Sequence, residues 1–599
     1  MTTARSRWLL PALLAFAAVS FGTGLNWGLP SRGADPFLFG PRTPWTGAQV
    51  MALAGPWQPA TDRGSDRPQH GSPPTTRPTV LNATDADPAE IVRRYRLYSD
   101  QPDEMITFRA LSRMRPAHGD LDPRLYQYGG LWVFPVGALL RLAAAAHLLT
   151  LRTDLAFYLD HPDAFARFYL VARLYSAAWG LAGVAVVYGL CLELTRRAPS
   201  HPSGSARVAA TAAGVYAAMP VVVNAAHEAK PHLAGTVLTL ATVWAAARFV
   251  RTGRGWATVG LLAGAASGMI LTGLAAWAVL PVIAWLRSAR AGAIAAAVAA
   301  LAFVATNPYL PFDALFHRDR LASNVGNYGN FYHPGLSLPA VANAARLLVM
   351  GTSPAPAFVA MLGALMLCLP RRASTSRPLT DPKQSPRTVP TTPVSEGTPE
   401  DPDLPSHPYS PATQDPPHSQ TLFRIGSLAA APAACVALQF VLLSRGKPAE
   451  YARFALTLDV LIGIVAALAV ARLPLRPRES AMAGLLLIAA TALFGLRYDL
   501  NFLADNAPGS TRRTVARQLA RLATPGRSLV VDADPAPYSL PPVDLFAWQI
   551  VLAPPGAPVA DLGPNALAVH PTDRTTLGLP SPISWADKPF EIVPVPPRR

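Results

Sequence analysis

The stretch Tyr98-Ser-Asp-Gln-Pro-Asp-Glu-Met105 sets two adjacent carboxylates, Asp103 and Glu104, in a long polar segment between the first two apolar runs of the chain. Carboxylates at a membrane face can serve as a general base, a metal ligand or a substrate-positioning group. A base must be ionised and within hydrogen-bond reach of the proton it takes. Pro102 disfavours helix at Gln101 and suits the first turn of a helix that begins there. Both acids would then lie at a helix N-terminus, a stable place for anions, and plain capping of that helix is the alternative to chemistry. Met105, Phe108, Leu111 and Met114 recur at spacings of three over 104–115, a stripe fit to lie along a membrane surface. Asp35 in Gly33-Ala-Asp-Pro36 and Asp163 in His161-Pro-Asp163 are rival carboxylates. A second polar knot, His227-Glu-Ala-Lys-Pro-His232, places two imidazoles around Pro231. Their spacing is not helical i, i+4 and is weak as a metal pair, so a substrate contact or an interfacial turn suits it as well.

These groups sit in an apolar scaffold. Of 599 residues, 51% are hydrophobic and only 15% charged, against about 25% charged in ordinary soluble domains. Apolar runs recur at roughly 8–28, 130–151, 167–193, 207–226, 232–250, 256–287, 291–306, 354–370, 423–444, 453–472 and 479–496. An α-helix needs about 20 such residues to cross hydrocarbon, and lipid demands that backbone groups pair internally, so the runs are helices. The expected class is an all-α polytopic membrane protein of about 11–13 transmembrane helices. The net charge of +16 comes from Arg clusters flanking the helices, such as Arg196-Arg197, Arg371-Arg372 and 472–478, and points to cytoplasmic loops rather than nucleic acid. Cys191, Cys368 and Cys435 all fall in apolar runs at no ligand spacing, which argues against a disulfide framework.

The chain divides into a first transmembrane helix (1–28), an extracytoplasmic loop with surface helices (29–128), a helical core (129–372), a linker (373–421), further transmembrane helices (422–498) and a small extracytoplasmic region (499–599). Arg5 and Arg7 before an apolar stretch resemble a signal peptide, but no small-residue cleavage site follows, and an uncleaved helix is expected. Within the first loop, 56–90 is rich in Pro, Asp, Thr and Gly and reads as a flexible insertion. The linker 373–421 is dominated by Pro, Ser, Thr and Asp, cannot bury enough surface to offset ordering entropy, and reads as cytoplasmic and disordered. In the tail, 511–522 reads as a helix and 528–533 as a buried strand of a compact α/β cap. One conflict stands: a full crossing at 130–151 would put Arg196-Arg197 outside, so that run is partly re-entrant or one crossing is miscounted.

The order of motifs resembles the polyprenyl-phosphate-dependent GT-C glycosyltransferases, notably protein O-mannosyltransferase and aminoarabinose-transferase relatives. Gln101-Pro-Asp-Glu104 is similar to their Pro-Asp-Glu-like motif, and Asp122-Pro-Arg-Leu-Tyr-Gln-Tyr-Gly129 to an Asp-Pro-x-x-x-x-Tyr-Pro element, with Gly129 in place of the last Pro. Arg173-Leu-Tyr-Ser-Ala-Ala-Trp-Gly180 resembles an Arg-x-x-Ser-x-x-x-Gly helix, and the 227–232 knot stands where the family has His-x-x-x-Pro-Asp. Asn307-Pro-Tyr309 with Asp313, and Glu450-Tyr-Ala-Arg-Phe454, look like its Asn-Pro-Tyr and Arg-Tyr elements. His232 replaces an Asp of the pattern, the loop before Asp103 is long, and a Lys often found near 268–272 is absent.

The resemblance implies a sugar donor on a polyprenyl phosphate, a cell-membrane site on the extracytoplasmic face, and a protein, lipid or glycan acceptor. Asp103 would deprotonate an acceptor hydroxyl for inverting attack at the anomeric carbon, with Glu104 supporting it or helping to bind a divalent metal ion, the one cofactor considered. Arg453, Lys230, Lys447, Arg318 and Arg320 would face the donor phosphate, each with membrane-headgroup contact as the plain alternative. His227, His232, Tyr128 and Tyr309 would contact substrate. A transporter or flippase of lipid-linked sugars, or a non-catalytic envelope-assembly scaffold, are the readings from other classes. The helices carry few internal charges, Glu193 at an end and Asp459 alone, and no repeat of the kind transporters show.

Overall fold

A computed structural model describes residues 7–55, 78–84, 86–196, 202–319, 321–322, 334–368, 418–447, 449–531, 537, 540–553, 565–572 and 584–595. Arg320, 56–77 of the expected flexible insertion and 373–417 of the expected linker lie outside them.

The chain is a multi-pass helical membrane protein with a small α/β portion at its C-terminal end. Among the described residues, six helices are long and apolar enough to cross a membrane: Pro162–Thr195, His232–Thr252, Ala289–Thr306, Gly426–Leu443, Ala449–Arg472 and Pro477–Asp505. Two further spans are bent pairs, Gly204–Ala218 with Pro220–Ala226 at 60° and Leu338–Thr352 with Pro354–Leu365 at 114°. Both breaks fall immediately before a proline, which lacks a backbone N–H and disfavours helix in the residue before it. Other apolar runs give shorter helices, Leu9–Gly22, Gly130–Ala145, Trp256–Met269 and Leu271–Leu286. The run at 130–151 therefore yields 16 helical residues, about 24 Å at 1.5 Å per residue and short of the hydrocarbon thickness. Between Trp256–Met269 and Ala289–Thr306, a Cβ on Gly260 or Gly264 would fall 2.3 and 2.4 Å from the Ala295 and Ala299 carbonyl oxygens. Small residues let these backbones approach, as membrane helix pairs require.

The C-terminal portion is a five-stranded sheet with the order β1-β3-β2-β4-β5, from Thr79–Val80, Trp548–Leu552, Arg527–Val531, Leu567–Pro571 and Phe590–Pro594. The inner pairs are parallel, with Leu529 opposite both Ile550 and Leu567, and the outer pairs are antiparallel. Central β2 is buried along Ser528 to Val531, which explains its unbroken apolar pattern. Helix Thr511–Leu522, as expected from the sequence, buries Val515, Ala516 and Leu519.

Two expectations need correction. Part of the supposed flexible insertion is ordered: 79–80 forms the edge strand of the distant sheet and Ala86–Leu97 is a helix. Asn82 locks that edge, donating to the Leu545 and Trp548 carbonyls at 2.9 and 2.7 Å and accepting from the Ile550 amide at 2.9 Å. The apolar stripe of Met105–Arg113 does not lie on a membrane. It faces the protein, where Phe108 packs edge-on against Tyr169 at 4.8 Å and Phe165 at 5.9 Å. The aromatic residues at the start of the long Pro162–Thr195 helix satisfy the stripe, so lipid is not needed to cover it.

Candidate active site

Three segments remote in sequence meet at one end of the helices: the turn 98–105, the turn 227–232 and the irregular helix Ala449–Ala455. The first is built as its sequence predicts. Pro102–Glu104 forms a single tight turn capped by Gln101, whose side-chain oxygen accepts from the Asp103 amide at 3.0 Å, and Met105–Arg113 continues it.

The two adjacent acids have opposite environments. Glu104 is fully buried against Arg173, with Nε to Oε1 at 2.8 Å and Nη2 to Oε2 at 2.7 Å. Ser99 and the Ala229 amide also donate to it, at 2.5 and 2.7 Å. Arg173 is itself completed by the Leu25 and Trp27 carbonyls at 2.7 and 2.6 Å and lies over the Trp27 ring. Four donors occupy the Glu104 oxygens, so it holds the turns 98–105 and 227–232 together and has no oxygen left for a metal or substrate. Asp103 is turned the other way, 15% exposed, with Oδ2 accepting from Lys230 Nζ at 3.0 Å and Arg453 Nη2 at 2.8 Å.

The 227–232 turn is tied down atom by atom. Ser176 donates to the Glu228 carbonyl at 2.6 Å and Trp27 to the His227 carbonyl at 3.1 Å. Glu228, itself buried, accepts from Gln101 at 2.9 Å and Asn224 at 3.0 Å and pairs with Lys230 at 3.5 Å. Lys230 is thus held between two carboxylates, which is what a buried ammonium requires. His227 is corrected from a substrate contact to a structural residue. Its ring stacks on Phe502 at 4.1 Å, and its two nitrogens lie 2.8 Å from the Val223 and Thr23 carbonyls. Burial pushes its pKa down to about 4.

Arg453 reaches Asp103 from the third segment. Its Nη1 donates to the Glu450 carbonyl at 3.1 Å, and its guanidinium lies beside the Tyr451 and Phe454 rings at 5.3 and 5.0 Å. Lys447 sits 5.4 Å from the same Tyr451 ring, and burial lowers its pKa. Below Arg453 opens a cavity of about 380 Å³, its open mouth included, lined by His232, Thr236, Thr239, Gln439 and Thr457 together with Ile270 and Phe454. His232 is buried among Tyr128 and Phe454 edge contacts, and its Nδ1 has no hydrogen-bond partner among the described residues. Tyr128 is held there by an isolated antiparallel backbone bridge to Ile270 and by the adjoining Gly129, where a Cβ would fall 1.9 Å from the Gly268 carbonyl oxygen. That contact explains why glycine stands at 129.

Other expected residues lie elsewhere. Tyr309 lines a separate cavity of about 320 Å³ with Asp122, Tyr126 and Asn307. Arg318 is exposed, its Nε donating to the Ala314 carbonyl at 3.2 Å, and it is not part of the Asp103 cluster. Asp35 is buried under Arg96, at 3.2 and 3.0 Å, and Arg32, at 2.9 Å, which makes it a structural ion pair. Asp163 is exposed in the first turn of Pro162–Thr195. Among the described residues no group of three or more His, Cys, Asp or Glu is set to hold a metal ion. Glu104 and Glu228 are occupied and Asp103 faces two cations, an arrangement that repels a divalent metal and suits an anion. Sequence reasoning quoted Gln101, Ser176 and Glu228 within motifs without giving them a place in the site, and passed over Trp27. Gln101 caps the turn through its side chain, and Trp27 acts through a contact to the His227 carbonyl that no local pattern announces.

No family model matches the chain, and no curated protein does. Among solved structures it is similar to ArnT from Cupriavidus metallidurans bound to undecaprenyl phosphate, at 15% identity over 81% of this chain and 92% of that one, TM-score 0.39. It is also similar to the Archaeoglobus fulgidus oligosaccharyltransferase in complex with zinc and sulfate, at 12% identity, 84% and 62% coverage and TM-score 0.37. A third is the archaeal oligosaccharyltransferase AglB from Archaeoglobus fulgidus with an inhibitory peptide and a dolichol-phosphate, at 11% identity, 80% and 61% coverage and TM-score 0.34.

Proposed function

We propose that the chain is a membrane glycosyltransferase that moves a sugar from a polyprenyl-phosphate carrier to an acceptor hydroxyl on the extracytoplasmic face, with inversion. The observation that carries this reading is the partly exposed Asp103 carboxylate held by Lys230 and Arg453, of which Arg453 also lines the cavity beside His232 and Thr457. One carboxylate beside two buried cations is the charge pattern needed when a hydroxyl is deprotonated next to a departing phosphate.

The acceptor oxygen attacks the anomeric carbon, the bond to the phosphate oxygen breaks, and its electron pair leaves on the carrier phosphate. The acceptor proton passes to Asp103. The carrier gains one negative charge in this step, so Arg453 and Lys230, fixed before the reaction, stabilise the transition state more than the ground state. Arg453 offers a planar fork suited to phosphate oxygens. The donor phosphate takes over the contacts that Asp103 makes to Lys230 and Arg453, which frees the carboxylate for the acceptor. Glu104 acts through position, by fixing Arg173 and the two turns.

Apart from Arg453, the polar side chains of the cavity lining are the hydroxyls of Thr236, Thr239, Thr272 and Thr457, the amide of Gln439 and the imidazole of His232. The test uses purified protein in lipid nanodiscs, a polyprenyl-phosphate-linked radiolabelled hexose and its release to a hydroxyl acceptor. Asp103→Asn should lower transfer by roughly 10²–10⁴-fold, the usual worth of a general base. Undiminished transfer by folded Asp103→Asn removes Asp103 from the reaction.

A further inference from the structure

The Asp103–Arg453 contact joins residues 350 positions apart. Something outside both segments has to fix their separation. The C-terminal portion touches each of them through an ion pair, buried at Lys588–Glu450 and partly exposed at Arg512–Asp100. Lys588 Nζ meets Glu450, which lies in the same short helix as Arg453 and whose carbonyl accepts from it. Arg512 Nε lies 3.1 Å from Asp100, next to the Gln101 that caps the Asp103 turn. Asp100 is pinned from its other side, its amide donating to the Gly28 carbonyl at 2.8 Å.

Lys588 and Arg512 belong to one tightly knotted junction. The Asp587 side chain accepts from the Thr511 amide at 2.8 Å, and the Lys588 carbonyl accepts from the Thr511 hydroxyl at 2.7 Å. The Asp587 amide in turn donates to Asp505 at 2.7 Å, at the end of the last membrane helix. Asp587 is held at φ 47°, a left-handed conformation that a non-glycine residue keeps only where its surroundings enforce it. Arg512 also lies over the Phe590 ring at 5.2 Å and Lys588 over Trp585 at 4.0 Å. Both ion pairs are therefore anchored to the membrane helix end and the sheet at once.

We propose that Lys588 and Arg512 are positioning residues, and that the C-terminal portion acts as a clamp setting the distance between Asp103 and Arg453. It would then be part of the catalytic machinery and more than a cover over the helices. The catalytic consequence rests on the function proposed above, whereas the clamp itself is testable without it.

The experiment compares full-length wild type, Lys588→Met, Arg512→Met and the conservative Lys588→Arg in nanodiscs, with thermal melts to confirm folding. Hydrogen exchange is read on peptides covering 98–106 and 449–456. In Lys588→Met the 449–456 amides, and in Arg512→Met the 98–106 amides, should exchange at least about tenfold faster, while Lys588→Arg stays near wild type. Unchanged exchange in the folded Met variants overturns the clamp. In the sugar-transfer assay kcat should fall by roughly 10–100-fold in the Met variants, since a misplacement near 1 Å can cost that much, with donor KM within about twofold and recovery in Lys588→Arg. Equal loss through donor KM, or no recovery in Lys588→Arg, also overturns it. Absence of transfer by wild type sinks the glycosyltransferase reading, and the exchange measurement still decides the clamp.

Discussion

Replacing Glu104 by Gln should destabilise the protein far more than replacing its neighbour Asp103 by Asn, although both changes remove one negative charge. Glu104 is fully buried and accepts four hydrogen bonds, two of them from Arg173. In the Gln variant Oε1 still accepts from the Ala229 amide and Arg173 Nε. The other oxygen becomes an NH2 group facing two donors, Arg173 Nη2 and the Ser99 hydroxyl. Arg173 also keeps its charge with no carboxylate beside it. Breaking one side of a buried ion pair costs about 3–5 kcal/mol, a factor of roughly 10² to 10³·⁵ in the folding equilibrium. Asp103 is partly open to solvent, and Lys230 keeps Glu228 when Asp103 is lost. The assay is unfolding in mixed micelles for wild type, Asp103→Asn, Glu104→Gln, Arg173→Met and the double variant Glu104→Gln/Arg173→Met. The two changes at the ion pair should be strongly non-additive, with a coupling of about 1–3 kcal/mol. Equal stability of Glu104→Gln and wild type, or additivity of the two changes, would refute the structural assignment of Glu104.

Arg453→Lys keeps the charge and loses the fork, so kcat should fall by about 10–150-fold, as expected for losing one charged hydrogen bond worth about 1.5–3 kcal/mol where the phosphate gains charge; steady-state kinetics with varied donor checks it. Gly129→Ala would place a methyl 1.9 Å from the Gly268 carbonyl oxygen, and the overpacking should cost about 1–3 kcal/mol in the same unfolding assay. Burial pushes the His227 pKa down to about 4, against the two carbonyl oxygens that its ring nitrogens face. A base depressed in the folded state stabilises the protein fully above its unfolded pKa of about 6.5, and that stability is lost as pH falls from there through 4. The loss over that window should reach about 3 kcal/mol, and His227→Gln should remove this part of the acid sensitivity. A pH profile of unfolding identical for wild type and His227→Gln would refute it.

The sequence alone determined the class and most of the helices, because the need to pair every backbone group in lipid leaves apolar runs few options. It also placed the start of the Asp103 turn at Pro102 and the helix Thr511–Leu522 in the C-terminal portion, since capping, proline geometry and hydrophobic spacing are local signals. The alternation of apolar spacing could not say what covered the Met105–Arg113 stripe, and the covering proved to be Phe165 and Tyr169 instead of lipid. Nor could it show that 79–80 would complete a sheet whose other strands begin at 527. Two neighbouring carboxylates looked alike in sequence, and only the tertiary contacts separated them: Arg173 saturates Glu104, while Lys230 and Arg453 converge on Asp103 from segments far along the chain. Whether an acid is structural or open to chemistry depends on which donors surround it and how much water it keeps. Those quantities belong to the packed molecule and leave no periodic trace in the chain.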